Sequence, residues 1–283
     1  CGGYNPKGKF STLQEYSDFG VPLYDLAHTL PEFDYDFQAP IRQFGGLRDT
    51  FGYIKNLNYF CHDFGEQLAL MTPKFQSENP TDATDLESLR YVVRSDGNSG
   101  FLFINNYQRR YVMADHNLQS FEVPLETETA TFKDLSINNG EFVIYPINLK
   151  IGNAMLKTAK ATPLCVLNKT DYVFVTNNEP EFDVDGDLNN NSLIVLSEDE
   201  ALNAYKITLD KDYLFISDAL VYKTDEGVVL QGENISNFKV YPQLPIVPEG
   251  YTLNKKENDF YIYGATKTDC LATVEFEEKG ITE

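Results

Sequence analysis

The amino-acid sequence predicts a mainly β protein with a short α/β start, and three observations carry that expectation. Residues 46–69 hold one long helical stripe of apolar side chains. Residues 72–86 are crowded with helix and strand breakers. From residue 86 onward, short β-branched and aromatic runs recur between turn signals, the pattern of sandwich or barrel modules.

Taken in order, residues 1–34 are rich in Gly, Pro and polar side chains and show little periodicity. A loop of that length inside a folded unit is typical of lids and binding loops. Tyr4, Tyr16, Tyr24, Gln14 and His28 are its candidate ligand contacts, and each also reads as ordinary surface or packing. Tyr35-Asp36-Phe37-Gln38-Ala39-Pro40 follows, an acidic residue between two aromatics, stopped by a proline. Such a group suits a sugar: the rings offer flat faces to C–H groups and the carboxylate accepts hydroxyl protons. It equally suits a strand end whose aromatics are core.

In 46–69, Leu47, Phe51, Ile54, Leu57, Cys61, Phe64 and Leu68 recur at spacings of three and four, which places them on one helix face. Asp49 suits the positive end of the helix dipole, and Gly65 is expected to end the regular part. Cys61 reads as a small buried hydrophobe. Thr72-Pro73-Lys74 and Glu78-Asn79-Pro80-Thr81-Asp82 are breakers, so a domain boundary is expected near 72–86.

Beyond it, Leu89–Arg94 and Phe101–Tyr107 flank Ser95-Asp96-Gly97-Asn98-Ser99-Gly100, a hairpin signal. Further expected strands run over 140–145, 163–167, 172–176, 192–196, 204–208, 213–216, 227–230, 238–240, 259–263 and 272–276. Ser197-Glu198-Asp199-Glu200 is a capping box opening one short helix.

Composition narrows the function classes. At 42% hydrophobic, with 20 Phe and 18 Tyr, the 283-residue chain has the material for a real core. A net charge of −20 repels phosphate backbones, so nucleic acid is not an expected partner. Four dispersed cysteines and three scattered histidines suggest neither a disulfide framework nor a metal site. No cofactor is called for, and no apolar run has the length of a membrane span. Cys1, followed by Gly2-Gly3-Tyr4-Asn5-Pro6, reads as the inside of a domain rather than the lipid-bearing start of a lipoprotein. The compartment, cytoplasmic or secreted, and the oligomeric state stay open.

Glu181-Phe182-Asp183-Val184-Asp185-Gly186-Asp187 fails the calcium-loop pattern, because its glycine is at the wrong offset and Ile194 stands where the twelfth-position glutamate belongs. It reads as an acidic turn. Three N-glycosylation triplets, at Asn168, Asn190 and Asn234, carry little weight. No nucleophile elbow, phosphate-binding glycine loop or HExxH is present.

Three stretches, in order, resemble the bacterial family 35 glycoside hydrolases, the β-galactosidases. Gly2-Gly3-Tyr4-Asn5-Pro6 is similar to that family's Gly-Gly-Thr-Asn segment. Tyr35-Asp36-Phe37-Gln38-Ala39-Pro40-Ile41, with Gly45-Gly46, Leu47-Arg48 and Asp63-Phe64-Gly65-Glu66-Gln67-Leu68-Ala69, is similar to its Tyr-Asp-aromatic motif and last barrel helix. Leu89-Arg90-Tyr91 through Gly100-Phe101-Leu102-Phe103-Ile104-Asn105-Asn106-Tyr107-Gln108-Arg109 is similar to its lead into β domains.

The resemblance covers residues 1 to about 110, with weaker fits at Pro163-Leu164-Cys165 and Ile216-Ser217-Asp218-Ala219. It implies the last loop and helix of a (β/α)8 TIM barrel over 1–72, a first β domain over 73–160 and a second β-sandwich region over 161–283. Loops of this kind lie on the catalytic face of such a barrel. The apolar stripe of the 46–69 helix would pack on the barrel sheet.

The implied activity is cleavage of terminal β-galactosides with retention, by two glutamates whose carboxyls stand roughly 5 Å apart. Both would lie upstream of Cys1, so no catalytic residue is assigned in this chain. Tyr4, Asn5, Tyr35, Asp36 and Phe37 are the implied substrate-binding wall, and a β-galactoside or oligosaccharide is the implied partner. Phe37 stands where many relatives have Tyr, and Tyr4 where Thr is usual, so the details of sugar selectivity differ. The rival reading is a set of non-catalytic β modules that bind carbohydrate or scaffold a partner domain.

Overall fold

The computed structural model describes residues 39–42, 45–77, 79–80, 82–232 and 235–266. The chain divides into two compact units, 1–57 and 58–283, and the division falls inside its long helix.

In the first unit, a tight turn leads into that helix. Arg42 N donates to Gly46 O at 2.7 Å, Gly45 N to Arg42 O at 2.9 Å, and Ile41 bridges Leu47. Gly45 turns the chain at a φ of +80°, a conformation that a side chain would strain. Arg48 Nε donates to Ala39 O at 2.9 Å and ties the helix start to the preceding extended residues. Helix α1 then runs Asp49–Leu70 and passes straight through Gly65. Gly65 therefore does not end the helix, contrary to the sequence expectation.

The second unit is mainly β, built as several sheets, nearly all antiparallel. The largest has six strands in the order β1-β2-β3-β6-β7-β10: β1 Thr72–Phe75, β2 Arg90–Ser95, β3 Gly100–Asn105, β6 Phe142–Ile151, β7 Ala154–Ala159 and β10 Phe182–Asp185. The hairpin read at residues 95–100 joins β2 to β3. Gly97 turns it at φ +102°, and Asp96 Oδ1 accepts from the Asn98 and Ser99 amides. Register alternation gives this sheet two faces. Phe101, Phe103 and Ile144 lie on one face with Phe60 and Phe64 of α1, and Phe60 meets Phe101 edge-on at 5.4 Å. Leu102, Ile104 and Tyr145 lie on the other with Phe132, Leu135 and Ile137 of the β4–β5 pair (His116–Pro124, Thr129–Ile137).

A three-stranded sheet follows: β8 Thr162–Leu167, β9 Asp171–Val175 and β11 Ser192–Leu196, with β11 parallel to β9. Its central strand is buried on both sides, Phe174 toward the six-stranded sheet and Val173 toward Leu164, Ile194 and Leu214. Helix α2, Glu198–Leu202, carries the expected capping box: Ser197 Oγ accepts from Glu200 N, and the Glu200 carboxylate accepts from Ser197 N. The last large sheet is β12-β13-β16-β18-β17: Ala204–Thr208, Asp212–Ile216, Asn237–Tyr241, Phe260–Ala265 and Tyr251–Glu257. Phe238 stacks on Tyr263 inside it at 5.2 Å. A small pair, β14 Leu220–Lys223 and β15 Val228–Gln231, completes the described residues.

Further readings of the sequence are corrected. Thr72-Pro73-Lys74 is not a break but part of β1, at the edge of its sheet, where a missing N–H is tolerated. Glu181–Asp187 contains the edge strand β10, whose two-residue alternation sets Phe182 and Val184 against the core while Asp183 and Asp185 stay in water; a bulge at Lys157 of β7 adjusts the pairing. Cys61 is exposed, not buried. The buried line of α1 is Phe60, Phe64 and Leu68, flanked by Tyr59 and Asp63. Ile54 and Leu57, in the first half of the same stripe, keep 46% and 52% of their surface in water. The six-stranded sheet also continues across residue 160, because β10 pairs with β7. Among the described residues no helix is long and apolar enough to cross a membrane.

Candidate functional site

Tyr4, Asn5, Tyr35, Asp36 and Phe37 lie outside the described residues. The most elaborate buried polar arrangement among the described residues lies elsewhere, where the second half of α1 meets β8 and β12. Asp63, in the helix stretch Asp63-Phe64-Gly65-Glu66-Gln67-Leu68-Ala69, points its carboxylate between two strands. Lys206 Nζ donates to Asp63 Oδ2 at 2.9 Å and to Val166 O at 2.7 Å. Val166 N donates to the same Oδ2 at 2.7 Å, and His62 Nδ1 lies 2.7 Å from Oδ1. One turn back, Tyr59 Oη accepts the Lys206 amide at 2.9 Å. The side chains of Asp63 and Lys206 are only 10% and 15% exposed.

The local sequence explains the geometry. Tyr59 and Asp63 are four apart and share one side of the helix, next to the line of Phe60 and Phe64. Lys206 points to the face of β12 opposite Tyr205 and Ile207, the face it shares with buried Ala204, and from there its ammonium reaches the carboxylate.

Burial raises the Asp63 carboxyl. The hydrogen bonds from His62, Val166 N and Lys206, with the charge of Lys206, outweigh that and hold it below the ordinary carboxylate value. Burial pushes the Tyr59 hydroxyl up to about 12, opposed by the hydrogen bond from the Lys206 amide. An ionised carboxylate with both oxygens engaged makes a poor general acid. The cluster is suited instead to fixing α1 on the β unit: two desolvated charges that satisfy one another and two backbone groups of β8.

A second ion pair ties the α2 cap to the last sheet. Lys239 Nζ lies 2.6 Å from Glu200 Oε1, so Glu200 serves the capping box and the pair together. Among the described residues no group of three or more His, Cys, Asp or Glu side chains is placed to hold a metal ion.

Sequence reading had singled out Asp63 only as part of a motif, and had missed Lys206 and Tyr59. Lys206 did leave a signal, a lone lysine inside the apolar strand pattern Ala204–Thr208, which a buried counter-charge explains. Comparison with known proteins adds no identification: neither protein-family models nor curated proteins give a match to this chain.

Proposed function

We propose that this chain is part of a retaining β-galactosidase-type glycoside hydrolase that cleaves terminal β-galactosides, with both catalytic glutamates on residues that precede it. The observation that carries the reading is the order of the three motif stretches along residues 1–110. In this reading 1–72 close a (β/α)8 barrel, and the sheets of the second unit are the β-sandwich modules that follow. Tyr4, Asn5, Tyr35, Asp36 and Phe37 line the sugar pocket, with Phe37 offering a flat face in place of a hydroxyl.

Two features of the fold support it. The helix of the motif is joined to the β unit through the motif's own Asp63, which suits a barrel's last helix followed by accessory modules. Ile54, Leu57 and Cys61, the exposed members of the apolar stripe, suit burial against a further layer. The rival reading, non-catalytic carbohydrate-binding β modules, draws its support from exposed rings at one end of the six-stranded sheet.

The test uses 4-nitrophenyl β-D-galactopyranoside. The 283-residue chain alone is expected to leave it intact. The longer protein that includes the preceding residues is expected to cleave it with retention, read from the anomeric proton by NMR. Phe37→Ala in that protein is expected to raise KM by about three- to tenfold, the worth of a lost stacking contact. Hydrolysis by the 283-residue chain would show the carboxylates to be within it. A longer protein inert toward β-galactosides would end the proposal.

A further inference from the structure

One end of the six-stranded sheet carries chemistry that the core does not use. Residues 106–115 leave β3 as a loop held down at many points. Asn106, fully buried, gives its amide N–H to Glu141 O at 2.8 Å and accepts from Gly140 N at 2.9 Å. Its Nδ2 donates to Ala114 O at 2.8 Å and Ile137 O at 3.3 Å. Met113 N donates to Asn139 Oδ1 and Asn139 N to Asp115 Oδ1, each at 2.7 Å. The loop is thus set before any ligand arrives.

Exposed on this frame are Tyr107, Tyr111 and Val112; Phe142, also exposed, pairs with Asn105, whose side chain binds the Tyr107 backbone. Tyr111 N donates to Gln108 O at 3.1 Å, so the loop turns between the two tyrosines. Between the rings stand Arg109 and Arg110, both exposed and without an ion pair among the described residues. Arg110 sits at φ +72°, an unfavourable conformation for a residue with a side chain. The nearby carboxylates are occupied: Asp115 accepts from Asn139 N, and Glu141 accepts from the amide and side chain of Asn138.

We infer that this loop, residues 105–112 with Phe142, binds an acidic oligosaccharide of the hexuronate class. Rings on a fixed loop offer stacking faces to pyranose C–H groups, and two unpaired guanidiniums offer bidentate donors to the sugar carboxylates. The chain's net charge of −20 disfavours anions in general, so the preference rests on the local positive charge of two adjacent arginines left without partners. The inference stands apart from the hydrolase reading, because no residue of this loop belongs to the proposed pocket.

The experiment titrates the 283-residue chain with an oligogalacturonate and with a neutral galacto-oligosaccharide of equal length, followed by calorimetry and by amide NMR. The acidic sugar is expected to bind at least about tenfold tighter, with affinity falling as salt rises. The double variant Arg109→Ala/Arg110→Ala is expected to abolish that preference, and Tyr111→Ala to weaken both sugars. Arg110→Gly separates a ligand role from a structural one: it suits φ +72° and is expected to keep the melting temperature while losing affinity for the uronate. Equal affinity for the two sugars, no binding of the uronate, or binding untouched by the arginine variants would overturn the inference. Self-association that the arginine variants abolish, with no sugar binding, would assign the surface to a second copy of this acidic chain and overturn it equally.

Discussion

Lys206 Nζ lies 2.9 Å from Asp63 Oδ2, joining a strand and a helix that are 143 residues apart in the chain. Both side chains are largely out of water, and each also binds Val166, through its carbonyl oxygen or its amide. Charge, strand backbone and helix therefore stand or fall together.

Removing one partner strands the other. Asp63→Ala leaves a buried ammonium without a counter-ion and is expected to destabilise the chain by about 3–5 kcal/mol, measured by chemical denaturation. Lys206→Met is expected to be milder, because Asp63 keeps the Val166 amide. A double-mutant cycle between the two positions is expected to give a coupling of about 1–3 kcal/mol; additive losses would mean that the pair contributes nothing.

The same pair sets an acid limit. The Asp63 carboxyl is held below its ordinary value of 3.8 in the folded chain. The unfolded chain therefore takes up the proton first as pH falls. The stability that the ionised carboxylate contributes is whole above the ordinary value and is lost as pH drops toward and through the lowered one. Asp63→Asn removes that part of the slope. The check is the melting temperature of wild type and variant from neutral pH down to pH 3: the two curves are expected to converge at the acid end, and parallel curves would contradict it.

The helix face is testable with small changes. Phe64→Ala, in the cluster with Phe101 and Leu149, is expected to cost about 3–5 kcal/mol. Leu57→Ala, on the exposed line, is expected to change the stability of this chain by less than about 0.5 kcal/mol. The reverse order would mean that the first half of the stripe, and not the second, is the buried part.

Gly100 opens β3 at a close backbone approach. A Cβ placed there would meet Arg94 O at 2.5 Å, on the neighbouring strand. Gly100→Ala must push two hydrogen-bonded strands apart and is expected to destabilise by about 1–3 kcal/mol. Gly65→Ala meets nothing within 4 Å and relieves a mid-helix glycine, so it is expected to stabilise by about 0.5–1 kcal/mol. Thermal melts of the two variants check both signs.

Much of the β unit was legible from local signals. The Ser95–Gly100 turn, the Ser197–Glu200 cap and the apolar runs of β8, β9, β11 and β13 all carry strong short-range chemistry. Of the strands that escaped notice, β7 and β14 hold short apolar runs, while four others carry little. β4 and β5 are largely polar, β1 contains a proline, and β10 is half aspartate; each is held as a strand by what it pairs with.

The sequence by itself determined a long helix ahead of a mainly β body, an acidic surface and the punctuation between strands, because periodicity, charge and turn chemistry act over a few residues. Only the tertiary structure decided which part of the α1 stripe is covered, which lysine answers Asp63, and which aromatics are left in water at the 105–112 loop. Those outcomes depend on side chains brought together from distant parts of the chain. An apolar stripe that runs the length of a helix holds no local preference for which part is covered until a sheet packs on it: Phe64 and Leu68 are packed, while Ile54, Leu57 and Cys61 are exposed.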